Sequence, residues 1–324
     1  MHFIDYDIFY RELLQISDEF INEDSYDIFV SAYNKSDRVR NIFDKVRAVE
    51  KYWVIHPEYQ FQDSDISSIN TANVIKLGNS GNENFQVNQI LKTLKLDERA
   101  GVKLCLDCTG FTRNTLIHLI IRIGILNIPS IDIIFSEPVK YKEKDETSFS
   151  IETGEVREIF GCAKEPDLQY SENLLISVGY DNMQVSHVMN SRESVTTHPI
   201  YAFPSLQPDM FQQSAYRASR IDFNTSQANE WLSYRAFCPA NDPFSTARKL
   251  SEEVKKIMAI EGNTNIYLST LSTKAQAVGF AYYWWKEGQF DDSVVSIVAP
   301  ECIKYNSDTS IGISKAWKFI LELN

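Results

Sequence analysis

The fold is decided by residues 102–113, which read Val102-Lys103-Leu104-Cys105-Leu106-Asp107-Cys108-Thr109-Gly110-Phe111-Thr112-Arg113. The mostly apolar run at the start predicts a buried β-strand over residues 102–107. The hydroxyl groups and the glycine that follow favour a tight turn. Arg113 then opens an apolar stretch that predicts a helix over residues 113–125. A strand, a short turn and a helix in this order form the repeating unit of an α/β fold.

The same alternation continues on both sides of this stretch. Further strands are predicted over 26–33, 51–55, 131–135, 174–178, 199–203, 265–269 and 293–298, most of them followed by a helix. Such alternation predicts parallel strands joined by crossover helices. We therefore expect an α/β protein with a doubly wound, mainly parallel, Rossmann-like sheet and helices on both of its faces. We expect one continuous sheet, with strands 102–107, 131–135, 174–178 and 266–269 in its interior.

The length of 324 residues suits one large α/β domain over 1–324, or two Rossmann-like halves over about 1–160 and 161–324. Residues 8–22 have the apolar spacing of an amphipathic helix. Two polar segments, 60–85 and 139–158, interrupt the alternation and are expected to form loops or a small hairpin. Residues 313–321 are expected to form a short helix or an edge segment.

The charge of the chain restricts its partners. The formal net charge is −12, which repels a nucleic-acid backbone and argues against binding of duplex nucleic acid. A small phosphate ligand remains compatible, because backbone N–H groups can hold one locally. The apolar stretch 116–126 is too short to span a bilayer, and the first residues do not resemble a signal peptide. We expect a cytoplasmic protein that does not associate with membranes.

Cysteine usage predicts neither a metal site nor a cofactor. The five cysteines are an odd number in a long chain, which is typical of reduced thiols. Cys105 and Cys108 form a C-x-x-C motif, but it lies at the end of a predicted strand. Residues three apart on a strand point to opposite faces, and no second pair of cysteines or histidines completes a ligand set.

The turn after the strand 102–107 is the first candidate site. In open parallel sheets, ligands bind outside the carboxyl ends of the strands. The candidate residues there are Asp107, Thr109, Gly110, Thr112 and Arg113. Backbone N–H groups and hydroxyls at a helix N-terminus suit a phosphate or a carboxylate. The alternative is an ordinary turn in which Thr112 is the N-cap.

The turn after the strand 265–269 has the same composition. Ser272 and Thr273 supply hydroxyls, Lys274 opens the next helix, and Gly279 is expected to let that helix approach the sheet. The alternative is again a plain helix cap. Because the carboxyl ends of parallel strands share one edge, we expect one concavity formed by Asp107, Thr109, Arg113, Glu137, Ser272 and Lys274. Other polar residues, Asn34, Lys35, Ser36 and Arg38, follow the first predicted strand of the alternating series.

The two turns resemble the ligand loops of CRISPR-associated Rossmann-fold (CARF) domains. The resemblance rests on Asp107-Cys108-Thr109-Gly110-Phe111-Thr112-Arg113 and on Ser272-Thr273-Lys274. It implies a sensor of oligonucleotide second messengers that acts as a homodimer, as part of a bacterial antiviral defence system. The common signatures of nucleotide-binding P-loops, dinucleotide sites, serine hydrolases and zinc proteases do not occur in the sequence.

Three functions follow from these residues. The first is binding or sensing of a nucleotide-type or other phosphorylated ligand at the carboxyl edge of the sheet. The second is an enzyme acting on a nucleotide or nucleoside with Asp107 or Glu137 as the carboxylate base. The third is a structural subunit with a vestigial site. The helix that carries Tyr282, Tyr283, Trp284 and Trp285 is expected to place some of these aromatic side chains in the core and some on a surface that faces a protein partner.

Overall fold

The computed structural model describes residues 4–16, 25–67, 69, 73–79, 82–142, 150–192, 194–221, 231–291 and 293–324. It shows an α/β protein whose chain divides into two compact units. The seven-stranded unit consists of Phe9–Glu152 and Cys302–Asn324. The six-stranded unit consists of Met1–Ile8 and Thr153–Glu301. Neither unit is one continuous segment of the sequence.

The strands are numbered in chain order. They are β1 Arg11–Leu14, β2 Tyr26–Ala32, β3 Ala48–Ile55, β4 Val74–Lys76, β5 Leu104–Asp107, β6 Ser130–Glu137, β7 Lys140–Tyr141, β8 Ser150–Glu158, β9 Glu172–Val178, β10 Thr196–Ala202, β11 Ala236–Cys238, β12 Asn265–Thr270, β13 Val294–Tyr305, β14 Ser310–Ile311 and β15 Lys315–Glu322. The helices are α1 Asp37–Lys45, α2 Asp63–Ser67, α3 Glu83–Leu94, α4 Arg113–Ile125, α5 Asn182–Asn190, α6 Met210–Ala218, α7 Pro243–Glu261 and α8 Lys274–Tyr283.

The sheet of the seven-stranded unit has the order β1-β15-β6-β5-β2-β3-β4. The strands from β6 to β4 are parallel, whereas β15 is antiparallel to both β6 and β1. The strand order reverses between β2 and β5, because the chain moves outwards through β3 and β4 and then returns. At this point Ser31 and Asp107 are register partners, and the Ser31 hydroxyl donates to Asp107 Oδ2 at 2.9 Å.

The sheet of the six-stranded unit has the order β11-β10-β9-β12-β13-β8. Its strands from β11 to β13 are parallel, and the order reverses between β9 and β12. The five parallel strands therefore repeat the arrangement β4-β3-β2-β5-β6 of the other unit. The register partners at the reversal are Ser177 and Thr270, and the Ser177 hydroxyl donates to Thr270 Oγ1 at 3.2 Å. The same pairing of a strand serine with a polar neighbour thus occurs in both units.

Apolar packing explains why these strands lie in the interior. In the seven-stranded unit Phe43 stacks on Trp53, with ring centroids 3.7 Å apart, over buried β2. Helix α4 is buried over most of its length, as its apolar sequence predicts. In the six-stranded unit the indole N–H of Trp231 donates to the Tyr201 hydroxyl at 2.9 Å, so these two buried aromatic side chains pair their polar atoms with each other.

The α/β class and the predominance of parallel strands are confirmed, but the expectation of one continuous sheet is wrong. Strands 102–107 and 131–135 belong to the seven-stranded unit, and strands 174–178 and 266–269 to the six-stranded unit. Each is nevertheless an interior strand of its own sheet. Alternation of strands and helices predicts strand direction, but it does not specify which strands pair.

Two ends of the chain differ from the prediction. Within residues 8–22, the structure has the strand β1 instead of a helix, and residues 17–22 lie outside the described part. Residues 315–322 form β15, which lies between β1 and β6 and is therefore not an edge segment. Short apolar runs do not distinguish strands from helices by spacing alone.

The two polar segments contain short regular elements. Helix α2 and strand β4 lie within 60–85, and β7 and β8 lie within 139–158, of which residues 143–149 are outside the described part. Among the helices described, none combines the length and the apolar character that crossing a membrane would require.

Candidate functional site

The first predicted turn lies where the strand order of the seven-stranded unit reverses. Helix α4 begins at Arg113 with Thr112 as its N-cap, as predicted, but the Thr112 side chain does not cap the helix. Its hydroxyl instead donates to Thr115 Oγ1 at 2.9 Å, and Thr115 donates to Gln86 Oε1 at 2.7 Å. These two bonds tie the turn to helix α3, which carries Gln86.

Asp107 is fully buried, and both of its carboxylate oxygens accept hydrogen bonds. Oδ2 accepts from the Ser31 hydroxyl at 2.9 Å, and Oδ1 accepts from the backbone N–H of Thr109 at 3.0 Å. Burial raises the pKa of Asp107, and the hydrogen bonds from Thr109 and Ser31 only partly oppose that rise. In this arrangement the carboxylate shapes the turn and has no contact with solvent.

Gly110 allows the turn to pack directly on the end of β2. A Cβ atom at this position would lie 1.9 Å from the carbonyl oxygen of Ala32. The Tyr59 hydroxyl donates to the carbonyl of Gly110 at 2.7 Å and holds the turn from the end of β3. Thr109 Oγ1 and Ser136 Oγ are 3.0 Å apart, which joins the turn to β6.

Two arginines occupy this edge of the sheet. Arg113 is half-buried at the first position of α4. Arg38, in the first turn of α1, is only 8% exposed, and its Nη1 donates to the carbonyl of Ser136 at 2.6 Å. Nε of Arg38 is buried and has no hydrogen-bond partner among the described residues. Buried guanidinium donors are normally paired, so this N–H is a candidate donor to a bound ligand.

Two tyrosines interact electrostatically with the arginines, and one of them also with the carboxylate of Glu137. Burial raises the pKa of Tyr141 and of Tyr305, while the charges of Arg38 and Arg113 oppose that rise in both. Their phenols are therefore neutral donors at physiological pH. Glu137 is buried and accepts from the Trp317 indole N–H at 2.6 Å.

The second predicted turn lies where the strand order of the six-stranded unit reverses. Helix α8 begins at Lys274, and the Thr273 hydroxyl caps it by accepting from the N–H of Gln276 at 3.2 Å. The Ser177 hydroxyl accepts from the backbone N–H of Leu271 at 3.1 Å and from that of Ser272 at 3.3 Å. The ordinary capping arrangement is therefore present in full at this turn.

Glycines again permit close packing near the second turn. A Cβ at Gly179 would lie 2.1 Å from the carbonyl oxygen of Leu271, so β9 and the turn meet as β2 and the first turn do. A Cβ at Gly279 would lie 2.5 Å from the carbonyl oxygen of Pro243. Gly279 therefore lets α8 approach α7, and the expectation that it lets the helix approach the sheet is wrong.

The structure brings together only part of the predicted site. Asp107, Thr109, Gly110, Thr112, Arg113 and Glu137 all belong to the seven-stranded unit, and Ser272, Thr273 and Lys274 belong to the six-stranded unit. The two turns do not share a sheet edge, because they follow strands of different sheets. A common concavity was expected because the carboxyl ends of parallel strands in one sheet share an edge. This reason does not apply to strands of two sheets, so the common concavity stays a prediction.

Sequence reasoning did not select Arg38, Tyr59, Tyr141 and Tyr305. Arg38 had one available signal, because it follows a strand that proves to be central. The tyrosines come from segments whose position depends on tertiary structure: Tyr59 follows β3, Tyr141 lies in β7, and Tyr305 ends β13.

The C-x-x-C cysteines and most of the aromatic residues at the end of α8 are buried. Cys105 and Cys108 are buried free thiols, and no cluster of three metal-ligating side chains occurs among the described residues. Tyr282, Tyr283 and Trp284 are buried, whereas Trp285 is partly exposed, so a partner-facing surface on this helix stays a prediction. Tyr282 packs against Phe244 of α7, with ring centroids 5.6 Å apart.

We expect Asp107→Asn to change the pH dependence of stability. A carboxyl whose pKa is higher in the folded than in the unfolded state stabilises the protein at acid pH, and this contribution is lost as the pH rises through the folded pKa. The asparagine retains the bond from Thr109 N–H and has no charge to bury. At neutral pH the variant should be at most about 1 kcal/mol less stable.

The measurement is denaturant unfolding of both proteins from pH 4 to pH 8. The advantage of the wild type over the variant should decrease steadily with rising pH. A constant difference across this range would show that the charge of Asp107 is unimportant.

If the second turn binds an anion of its own, we expect Lys274→Ala to weaken that binding without lowering stability. A cation at the first position of a helix is opposed by the helix dipole, so its removal should leave stability unchanged or raise it by about 0.3–1 kcal/mol. The measurement is a melting curve and a titration with inorganic pyrophosphate, with Arg113→Ala as the matched variant of the first turn. A substantial fall in melting temperature would assign Lys274 a structural role.

No protein-family model matches the sequence, and no curated protein sequence matches it either.

Proposed function

We propose that the chain binds a nucleotide-type or other phosphorylated small ligand at the carboxyl edge of the seven-stranded unit. The observation that carries the proposal is the buried guanidinium of Arg38, whose Nε has no hydrogen-bond partner in the part of the chain that the structure describes, together with half-buried Arg113 at the start of α4. Two guanidinium groups offer the planar forks of N–H donors that suit phosphate oxygens. The neutral phenols of Tyr141 and Tyr305 add further donors, so the edge is rich in groups that bind an oxyanion.

The position within the sheet supports the same function. The edge lies where the strand order reverses between β2 and β5, which is the position at which open parallel sheets bind ligands. We propose that the unit is a doubly wound, Rossmann-like domain used in this way. The net charge of −12 favours a small ligand over a nucleic-acid duplex.

The resemblance to CARF domains suggests which phosphorylated ligands to test. Thermal shift is measured with inorganic phosphate, inorganic pyrophosphate, mononucleotides, dinucleotides and cyclic oligonucleotides. A ligand present at 100 times its dissociation constant should add about 2.7 kcal/mol of stability. Chromatographic analysis of the same mixtures tests for turnover, and light scattering tests for a dimer. If no member of the panel stabilises the protein, the proposed binding function is wrong.

A further inference from the structure

His56 is a buried histidine that directly follows the last residue of β3. It is 0% exposed, and neither of its ring nitrogens has a hydrogen-bond partner in the part of the chain that the structure describes. Burying an imidazole without hydrogen bonds costs stability, because water satisfies both nitrogens in the unfolded chain. The ring lies at the carboxyl end of a parallel strand, where open sheets bind ligands, so it is a candidate contact for a ligand.

Glu58 lies beside the imidazole. Its Oε2 is 3.6 Å from Nδ1 of His56, which is slightly beyond hydrogen-bond distance. Gln86 Nε2 donates to the other carboxylate oxygen at 2.8 Å and so holds Glu58 from helix α3. Burial raises the pKa of Glu58, but the nearby His56 and the bond from Gln86 outweigh that effect and lower the pKa below its ordinary value. Glu58 is therefore ionised at neutral pH.

The position of Glu58 selects the nitrogen that carries the proton of the neutral imidazole. A carboxylate attracts an N–H group and repels a lone pair, and the nitrogen that faces it is Nδ1. The proton is therefore expected on Nδ1, which leaves a lone pair on Nε2. Nε2 is then an acceptor without a donor among the described residues. A fully ionised phosphate offers only acceptors, whereas a hydroxyl group can donate to this nitrogen.

Aromatic packing holds the ring of His56 next to the first turn. Phe111, which belongs to that turn, meets the imidazole edge to face, with ring centroids 5.6 Å apart and an angle of 80° between the planes. Tyr59 packs against it as well, with centroids 6.3 Å apart. The Tyr59 hydroxyl donates to the carbonyl of Gly110 at 2.7 Å, so the same side chain contacts both the imidazole and the turn.

We propose that His56 is a further ligand-binding residue of the seven-stranded unit, that its Nε2 accepts a hydrogen bond from a hydroxyl group of the ligand, and that Glu58 positions it by holding the proton on Nδ1. This inference rests on the proposed binding function and narrows the class of ligand. It favours phosphorylated molecules that carry a sugar, such as nucleotides, over inorganic phosphates.

Nitrogen NMR spectra of the imidazole test the role of Glu58 without any ligand. At pH 8 the wild type should carry the proton of His56 on Nδ1, and the signals are assigned by their absence in His56→Phe. Glu58→Met, which removes the carboxylate but keeps a side chain of similar length, should lose the preference for Nδ1. A proton on Nε2 in the wild type, or an unchanged preference in Glu58→Met, would overturn the proposal.

The contact with ligand is tested with adenosine monophosphate and its dideoxy analogue, which lacks the ribose hydroxyls. The wild type should bind adenosine monophosphate about tenfold more tightly than the analogue, as expected for one hydrogen bond to a buried acceptor. His56→Phe should bind the two equally. The control His187→Phe changes an exposed histidine of the six-stranded unit and should keep the preference. Equal affinities in the wild type, or a preserved preference in His56→Phe, would overturn the contact.

Stability measurements distinguish this role from a structural one. His56→Phe removes two unpaired ring nitrogens, so its melting temperature should be unchanged or higher. A lower melting temperature together with a preserved preference for the hydroxylated ligand would show that His56 is structural. If His56→Phe does not fold, the preference measured in Glu58→Met decides, and a value equal to that of the wild type would overturn the proposal.

The failure of this contact differs from the failure of the binding function. If the wild type binds no phosphorylated member of the panel, the binding function fails, and the contact of His56 fails with it. If the wild type binds inorganic pyrophosphate or mononucleotides without regard to ribose hydroxyls, only the contact of His56 fails.

Discussion

Gly110→Ala is expected to destabilise the protein by about 3 kcal/mol, at the upper end of the cost of overpacking. The new methyl group would lie 1.9 Å from the carbonyl oxygen of Ala32 and 2.9 Å from its carbonyl carbon. These are backbone atoms of the central strand β2, so neither can rotate away. Relief requires the turn to move off β2, which also strains the bond from Tyr59 to Gly110 and the bonds around Asp107.

The effect is measured by urea unfolding and by melting temperature, which should fall by roughly 6–12 °C if the seven-stranded unit unfolds cooperatively. The control is Gly288→Ala, where the nearest atom is a side-chain carbon of Val295 at 3.3 Å. Gly179→Ala should be as damaging as Gly110→Ala, since its Cβ would lie 2.1 Å from the carbonyl oxygen of Leu271. Wild-type stability of Gly110→Ala would mean that the turn is not packed on β2.

The starts of two helices and one buried strand could be predicted from local sequence. Helices α4 and α8 begin at Arg113 and Lys274, where the sequence predicts, because the signals for a helix start come from neighbouring residues. Only at the second turn does the threonine side chain itself cap the helix. Strand β5 was also predictable, since its apolar run is bounded by polar turns. These features need no knowledge of distant parts of the chain.

Pairing between distant strands was not predictable in the same way. Strand β15 lies beside β6, and β5 and β12 belong to different sheets. Both features depend on contacts between residues far apart in sequence. For this reason the predicted common edge of Asp107 and Lys274 had no basis once the two sheets were known. For the same reason Tyr141 and Tyr305 could not be selected as neighbours of Arg113.

Arg38 shows how tertiary structure changes the meaning of a residue. In the sequence it is one of several polar residues after a strand, beside Arg40 on the same predicted helix. In the structure Arg40 is half-exposed and pairs with Asp37, whereas Arg38 is buried at the point where the strand order reverses. Burial of a charge without full pairing is costly, and such groups concentrate at functional sites.

Arg38→Met should therefore lower the stabilisation of the protein by the best ligand of the panel by about half or more, when the ligand is present at 100 times its wild-type dissociation constant. Methionine fills much of the space of the arginine stem but offers no donor to an oxyanion. Loss of one or two charge-assisted hydrogen bonds, at about 1.5–3 kcal/mol each, weakens binding at least about tenfold and at most on the order of ten-thousandfold. The bond from Nη1 to the Ser136 carbonyl is lost as well, at a cost of about 1 kcal/mol of stability.

Two comparisons separate binding from folding in this experiment. Arg40→Met removes an exposed cation from the same helix and should leave ligand affinity within about twofold, since exposed ion pairs contribute little. Arg38→Lys keeps the charge but lacks the planar fork, so it should recover only part of the affinity. Isothermal titration gives the affinities and urea unfolding gives the stabilities. If Arg38→Met binds the ligand as tightly as Arg40→Met does, the guanidinium of Arg38 is a structural group, and the ligand must bind elsewhere.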